Sequence, residues 1–586
     1  MVLATADAQR VRAPAPQPPV SRQPFNNPDR FTPVPELLKL AQLRKGACED
    51  LKRLRIAHVT ITAELNTTTM FALPVPPALA GSPPVINLPV YCRVAGQSTP
   101  SPTSKILFEV WLPLGTKYNG RYEQLGNGGF AGMVNYYGLG EGIRRGFAAA
   151  STDDGNQVFN DATFANVSHD KIVDFGWRAL NETTIAAKKI ITAFYGSAPK
   201  YSYFFGCSDG GREAMQEAQR FPTDFDGIIA AAPANNWTHQ FTALAYNTQA
   251  AYGHIAPFPA VVPPALLAVL SADVRSQCAG HDGGLPGDLF LTDPRVCTID
   301  WTLIQCPPGP PSSTCLSAAQ VAAVKAINGG AKNTAGQIYP GYELGSEDNP
   351  GTWQQWITGP WGIGPFPTFG MQTYYGEEFF ANFVYHVPVY NLMTLNMDTA
   401  VADADAQASD VNAMNADLSP FRDHGGKLIQ YVGWADPAVA PRDSIAFYET
   451  VRTTLGGTYA DQQSFYRLFM APGMGHCSGG PGPDAFGNDP NSPAPAGQVD
   501  ADHDVLMALM RWRESGMAPE KIIATHYVAD NPAGGAGGIA FQRPLCPYPQ
   551  VGRYDGTSLN KASASSFVCN ARAAKIPVKA LSKSVR

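Results

Sequence analysis

Between about residue 100 and residue 232, short apolar runs alternate with amphipathic stretches. Ile106-Leu-Phe-Glu-Val-Trp-Leu112 reads as a strand, and Gly146-Phe-Ala-Ala-Ala-Ser-Thr152 as a buried strand that ends in the polar Asp153-Asp154-Gly155. Thr183 to Tyr195 has helical spacing. Tyr201-Ser-Tyr-Phe-Phe205 predicts a strand running into Gly206, Gly211 to Arg220 a helix, and Phe225 to Ala232 the next strand. Short apolar and aromatic runs predict strands, and spacings of three and four predict helices. Their alternation predicts an α/β fold with a mostly parallel sheet. The pattern breaks over 235–420, where loops, Trp and Tyr clusters and four closely spaced cysteines stand. It resumes at Lys427-Leu-Ile-Gln-Tyr-Val432, Tyr466 to Met470 and a helix from Asp504 to Trp512. We therefore expect a core built from 36–234 and 421–586, with 235–420 inserted as a lid domain above the strand C-termini, where such sheets bind ligands. Residues 1–35 are Pro-rich and polar, without hydrophobic period, and predict an arm lacking fixed structure. Leu37, Leu38, Leu40 and Leu43 suggest a short helix leading to Cys48.

A chain of 586 residues exceeds one simple core. It fits a large domain carrying an insertion, or two or three separate domains. Only 16% of residues are charged, while Gly (56) and Pro (51) are abundant, which predicts long connections. A net charge of −6 gives no reason to expect nucleic acid or an anionic membrane as partner. No stretch reaches the roughly 18 apolar residues of a membrane span. Met1 to Gln9 is too short for a signal peptide, and Ala4-Thr-Ala-Asp-Ala8 reads as the stump of one that has been removed. The ten cysteines contain no C-x-x-C pair. Five disulfides are the simplest reading, which implies an oxidising location, secreted or periplasmic; the rival is buried thiols in a cytosolic enzyme. Sequons at Asn66, Asn166, Asn181 and Asn236 are compatible with a eukaryotic secretory route. We find no internal repeat and no Walker A motif, and Gly126-Asn-Gly-Gly129 lacks the third glycine and downstream acid of a dinucleotide fingerprint.

Two segments carry the chemistry. Gly206-Cys-Ser-Asp-Gly210 is a G-x-S-x-G sequence between a strand and a helix, the setting of a serine nucleophile in the α/β-hydrolase fold. Gly475-His-Cys477 supplies a histidine late in the chain, as the Ser…Asp…His order of that fold requires. Acyl transfer needs a nucleophile, a base and donors for the oxyanion. Ser208 is the candidate nucleophile and His476 the base; His503, at a helix start, and His526, in a strand-like run, are rivals. Asp436 ends the strand that begins at Lys427 and would orient the imidazole without taking its proton. Asp423 precedes that strand and stands at the wrong end. The backbone N–H of Asp209 and of Gly129 are the candidate oxyanion donors, against the blander reading that these glycines only make a turn. Cys207 and Cys477 adjoin the two reacting residues, so a bond between them would hold serine and histidine together.

Together these residues resemble the tannase and feruloyl esterase family, whose signature is Cys-Ser…Asp…His-Cys. The likeness runs from about Cys48 to Cys569. It includes Asn119-Gly-Arg-Tyr122, Gly126-Asn-Gly-Gly129, Arg220-Phe-Pro222 and Arg543-Pro-Leu-Cys-Pro-Tyr-Pro549. The resemblance implies an α/β-hydrolase core, a lid domain, secretion and hydrolysis of esters of aromatic acids, with no cofactor for catalysis. It implies a Cys207–Cys477 disulfide, and the remaining sequence neighbours then suggest 48–92, 278–297, 306–315 and 546–569. Family members usually hold a structural calcium in a Cys-Asp-x-x-Asp-Gly loop. Here Ala279 replaces the first aspartate and two residues are inserted. Asp282 and Asp288, with the carbonyls of Gly284 and Phe290, remain as possible ligands, alongside the alternative of a metal-free turn.

The lid is aromatic: Trp353, Trp356, Trp361, Phe366, Phe369, Tyr374 and Tyr375. By resemblance Trp356 would wall the acyl ring, and most of the others form lid core. Relatives acting on terephthalate mono-esters need a cation for the free carboxylate, for which arginine is the natural partner. No arginine lies between Arg295 and Arg422, and Lys325 and Lys332 are the only lysines there. Neutral phenolic acyl groups such as ferulate, coumarate or gallate are therefore expected in preference to a charged one. A peptidase or acyltransferase using the same triad is a rival. So is a non-catalytic polyphenol- or carbohydrate-binding protein on a hydrolase scaffold, although no triad member is lost.

Overall fold

The computed structural model describes residues 47–74, 81–253, 260–310, 312–360, 369–489, 492–495, 497–528 and 538–571. The arm 1–35, the Leu37–Leu43 segment, Trp361 and Phe366 lie outside them. Nine strands form the central sheet: β1 (Val59–Asn66), β2 (Tyr91–Ser98), β3 (Ile106–Pro113), β4 (Arg121–Leu125), β5 (Ala148–Thr152), β6 (Tyr201–Cys207), β7 (Gly227–Ala231), β8 (Lys427–Gly433) and β9 (Tyr466–Ala471). Their order is β1-β2-β3-β5-β4-β6-β7-β8-β9. The six from β5 to β9 in that order run parallel, and β1, β2 and β3 extend one edge antiparallel. With its covering helices this is the α/β-hydrolase fold.

Three of these strands escape the sequence pattern. β1 and β2 lie at and next to the edge and carry Thr, Glu, Arg and Gln, so their apolar alternation is weak. β4 is central, yet it reads Arg-Tyr-Glu-Gln-Leu because Glu123 and Gln124 are buried polar residues. The other strands follow the two-residue period. Phe204, Ile228, Ala230 and Leu428 face one side, under α2 (Ala179–Tyr195), α3 (Asp209–Arg220) and α8 (Pro441–Leu455). Tyr203, Ile229, Ile429 and Tyr431 face the other, under α9 (Val505–Ser515). Burying each of the Phe, Ile and Leu side chains among them is worth about 1.5–3 kcal/mol. α2 starts four residues before the predicted Thr183 and stops at Gly196, whose φ of 78° ends the helix in the left-handed conformation.

The long segment between β7 and β8 contributes nothing to this sheet among the described residues. Where the sequence suggested mainly loops, it is largely helical, with α4 (Trp237–Tyr252), α5 (Pro264–Cys278), α6 (Met371–Phe379) and α7 (Met397–Ala408). Its rings and aliphatic groups form one cluster that includes Trp237, Phe241, Trp356 and Phe379. The cluster takes in Phe130 from the turn after β4 and Val439 from the turn after β8. The inserted segment thus rests on the C-terminal ends of the strands. All ten cysteines pair, as Cys48–Cys92, Cys207–Cys477, Cys278–Cys297, Cys306–Cys315 and Cys546–Cys569. Of the sequon asparagines, Asn236 is buried and donates to Asp443, which removes it as a surface acceptor in the folded chain.

Candidate active site

The turn between β6 and α3 is built by close approach. A Cβ on Gly206 would lie 2.3 Å from the Gly210 carbonyl oxygen, and one on Gly210 2.7 Å from that of Asn127. With both glycines in place Ser208 takes φ 66° and ψ −119°, a conformation costing about 1–2 kcal/mol for a residue with a Cβ. Its backbone is held on both sides. Ser208 N–H donates to Ala231 O at 3.0 Å, and Ser208 O accepts from Arg212 N and Ala234 N, each at 3.1 Å. Asp209 is the first residue of α3, so its N–H sits at the positive end of the helix. Its side chain turns the other way, into a bond from Arg212 Nε to Oδ1 at 2.6 Å.

The histidine arrives from the loop after β9. His476 Nδ1 lies 2.9 Å from Asp436 Oδ2, and both side chains are buried. Asp436 Oδ1 accepts the N–H groups of Ala438 (2.8 Å) and Val439 (2.9 Å). A carboxylate fixed by two backbone donors calls for the proton on His476 Nδ1, which leaves Nε2 as the basic nitrogen. Nε2 is buried and has no protein hydrogen-bond partner. The Cys207–Cys477 disulfide, with Cα atoms 5.9 Å apart, ties the residue before Ser208 to the residue after His476. The rival residues are engaged elsewhere. His503 pairs with Asp500, His526 stacks on Phe541, and Asp423, exposed at the end of the short helix Ser419–Asp423, pairs with its neighbour Arg422.

The glycine loop after β4 closes against the elbow. Gly126 N donates to Phe205 O at 2.9 Å, and Asn127 O accepts Gly210 N at 3.0 Å. Gly129 has φ 60°, and a Cβ there would meet Asn160 Oδ1 at 2.1 Å and the Tyr375 hydroxyl at 2.9 Å. Asn160 Oδ1 also accepts Phe130 N–H, at 3.1 Å. Tyr375, on α6, donates its hydroxyl to the same oxygen at 3.2 Å and stacks on Trp356 with ring centres 5.9 Å apart. Trp356 in turn sets its ring edge-to-face with the His476 imidazole, 5.1 Å between centres. One continuous set of contacts therefore runs from Gly129 through Asn160, Tyr375 and Trp356 to His476. Trp353 is buried in the core of the inserted segment, and Phe369 and Tyr374 pack against it. Asn160 was not legible as a site residue: it stands in a polar loop and is marked only by a φ of 54°.

The acidic loop 278–297 lies apart from this chemistry. Asp282 accepts the N–H groups of Gly284 (3.1 Å) and Thr292. Asp288 accepts Leu285 N–H at 3.0 Å and Arg543 Nη2 at 3.0 Å. The Gly284 backbone is pressed against Thr292, while the Phe290 ring stacks on Phe541 and its Cβ backs Gly473, in the loop that carries His476. Every carboxylate oxygen of the two aspartates already faces an N–H donor, and one of those donors is a buried guanidinium. Ala279 offers no side-chain oxygen, and with both carboxylates engaged by N–H donors only the carbonyls of Gly284 and Phe290 are left of the expected ligands, short of the 6–8 oxygens calcium takes, so these residues do not fit that ion as arranged.

Comparison with known proteins agrees with the geometry. A family model described as tannase and feruloyl esterase matches residues 92–570. An uncharacterized esterase of Xanthomonas campestris pv. campestris is 40% identical over 550 residues, covering 89% of this chain and 91% of that protein. Feruloyl esterase C of Talaromyces stipitatus is 30% identical over 520 residues, covering 87% and 92%. Among solved structures, feruloyl esterase B from Aspergillus oryzae superposes with a TM-score of 0.79 at 27% identity, covering 90% of this chain and 100% of that one.

Proposed function

Since the chain belongs to the tannase and feruloyl esterase family and is a carboxylic ester hydrolase, we propose that it cleaves esters of aromatic, phenolic acids through Ser208, His476 and Asp436. The observation that carries this reading is the position of His476. Its Nδ1 meets Asp436, its ring meets Trp356, and a disulfide ties its neighbour to the neighbour of Ser208. Neutral His476 takes the Ser208 hydroxyl proton at Nε2 as Oγ attacks the ester carbonyl. The N–H groups of Asp209 and Gly129 receive the charge that develops on the carbonyl oxygen. The imidazolium, steadied by Asp436, then protonates the departing alcohol. A water activated by the same nitrogen releases the acid from the acyl-enzyme.

Trp356 supplies a ring face beside the base, suited to an aromatic acyl group, and the inserted segment 235–420 serves as the lid that carries it. A neutral phenolic ring is favoured because the lysines of that segment are placed elsewhere. Lys325 lies over the Trp301 ring and Lys332 is exposed. Export to an oxidising compartment, secreted or periplasmic, is supported by the five disulfides. Among the described residues no helix is long and apolar enough to cross a membrane. The acidic loop is closed by the Asp288–Arg543 pair in place of a metal. The deciding experiment is a turnover panel of methyl ferulate, methyl gallate and mono(2-hydroxyethyl) terephthalate. We expect the neutral phenolic esters to be preferred. A kcat/KM for the terephthalate mono-ester equal to or above that of every neutral ester would reject the assigned substrate class.

A further inference from the structure

Beneath the glycine loop lies a group of acids that the proposed reaction does not use. Asp154 follows β5, Asp209 opens α3, and Glu213 stands one turn further along α3. One carboxylate oxygen from each lies within 4.8 Å of the others, and all three side chains are buried. β5, β4 and β6 are neighbours in the sheet, so the acids gather where the end of β4 turns into Gly126–Gly129. The facing cation is Arg212, itself buried. It bonds Asp209 and donates to Gly176 O at 2.6 Å and Phe175 O at 3.0 Å. Outside this circle, Asp174 abuts Gly155, and Lys171 donates to the Gly155 carbonyl.

Two independent counts say that this group holds a proton. Three carboxylates against one guanidinium would leave two negative charges uncompensated away from water, and like charges this close do not all ionise. In addition, both oxygens of Asp154, Oδ2 of Asp209 and Oε1 of Glu213 have no hydrogen-bond donor, and ionised carboxylates have none to offer one another. The proton belongs on Glu213. Burial, then the charges of Asp154 and Asp209, push its carboxyl well above the ordinary range. Asp209 is pushed up only to about 6, burial being opposed by Arg212.

The other oxygen of Glu213 reaches the glycine loop. Oε2 accepts Asn127 N–H at 3.1 Å, while Asn127 O accepts Gly210 N and Asn127 Nδ2 donates to Thr152 O at 2.9 Å. A Cβ on Gly126 would lie 2.6 Å from Glu213 Oε2. Asn127 is thereby fixed at three points, two residues ahead of the Gly129 N–H.

We propose that Glu213, as a neutral acid, is a positioning residue for the oxyanion hole: Oε1–H is donated to Asp154, Oε2 holds Asn127 N–H, and the loop so held aims the Gly129 N–H at the substrate carbonyl. The inference rests on the assignment of Ser208 and its oxyanion donors made above. Glu213 touches neither substrate nor nucleophile. As pH rises and the proton leaves, Glu213 and Asp154 repel each other, the clamp opens, and turnover falls on the alkaline side.

The test compares the full-length wild type, Glu213→Gln and Glu213→Ala on methyl ferulate, from about pH 5 to 10, with active sites counted by a serine-reactive phosphonate. Glutamine preserves both bonds, since its carbonyl accepts Asn127 N–H and its amide donates to Asp154, and it does not ionise. Glu213→Ala should lose about 100-fold in kcat per titrated site with KM within about threefold of wild type, the scale of a lost oxyanion donor. Glu213→Gln should recover to within about fivefold of wild type near neutral pH and lack the wild-type alkaline decline. A purely structural role would lower the number of titrated sites and leave kcat per site and the pH profile alone. That result overturns the proposal, as does a glutamine variant as impaired as alanine or with the wild-type alkaline limb. If the alanine variant does not fold, the glutamine pH profile decides. Failure of the underlying assignment shows separately, as phosphonate labelling away from Ser208.

Discussion

Two parts of the site face each other across the imidazole of His476. Below it are the turns that follow β4, β6, β8 and β9, held by backbone hydrogen bonds, by glycines with no room for a methyl group and by the carboxylate of Asp436. Above it is the inserted segment, where Trp356 and Tyr375 are held by ring packing and by one asparagine oxygen. The lower part tolerates little displacement, because a reacting geometry is lost within about 1 Å. The upper part is a surface of contact, and contact energies change gradually with shape. Substitutions below should therefore cut kcat for every ester alike, whereas substitutions above should move KM and the order of preferred substrates.

The largest effect is expected from Ser208→Ala. Turnover of methyl ferulate should fall by about 10⁴–10⁶-fold while the melting temperature stays near that of wild type. More than a few per cent residual activity would remove Ser208 from the reaction. Asp436→Asn should follow, at roughly 10³–10⁴-fold in kcat, because the amide presents an N–H where His476 Nδ1–H needs an acceptor. A loss confined to KM would place Asp436 outside the chemistry.

The double variant Cys207→Ala/Cys477→Ala should lose about 100-fold in kcat before its far-ultraviolet dichroism changes. Peptide mapping without reductant should recover the two cysteines as one linked pair. Trp356→Ala sharpens the contrast from above: KM for methyl ferulate should rise about tenfold, equivalent to part of one aromatic ring's burial, and the ferulate-to-gallate ratio should change. Equal losses on all esters, seen in kcat, would show that Trp356 acts on His476 and not on substrate.

The smallest effect is expected from a chelator, which should leave melting temperature and activity unchanged. Arg543→Gln should lower the melting temperature, because Asp288 would remain buried without its cation. A clear drop on chelation that calcium reverses would reinstate a metal in the 278–297 loop.

How much of this was legible in the sequence follows the same division. The turn at Ser208 could be read because a strand running directly into a helix demands glycine at Gly206 and Gly210. The histidine loop could be read because Gly475-His-Cys477 follows a recognisable strand. Asn160 could not, since its partner Tyr375 is 215 residues away and ring contacts leave no periodic mark. Glu213 was hidden for another reason. In a sequence, an acid four residues after Asp209 looks like any solvated helix position, and only the sheet order shows that it points beneath β4. β1, at the edge, and β2, next to it, were missed because their polar residues interrupt the apolar alternation.

The covalent link between Cys207 and Cys477 spans 270 residues, and this bears on how such a chain can change over generations. Lengthening a connection costs only about 0.6 kcal/mol per doubling of its length. With the ends of the span fastened beside Ser208 and His476, additions or losses between β7 and β8 need not part these two residues. Within that span the stretch between β7 and β8 is free to drift, acquire new rings or exchange one recognition surface for another, while the proposed reaction depends on the turns after β6, β8 and β9 that the bridge keeps in register.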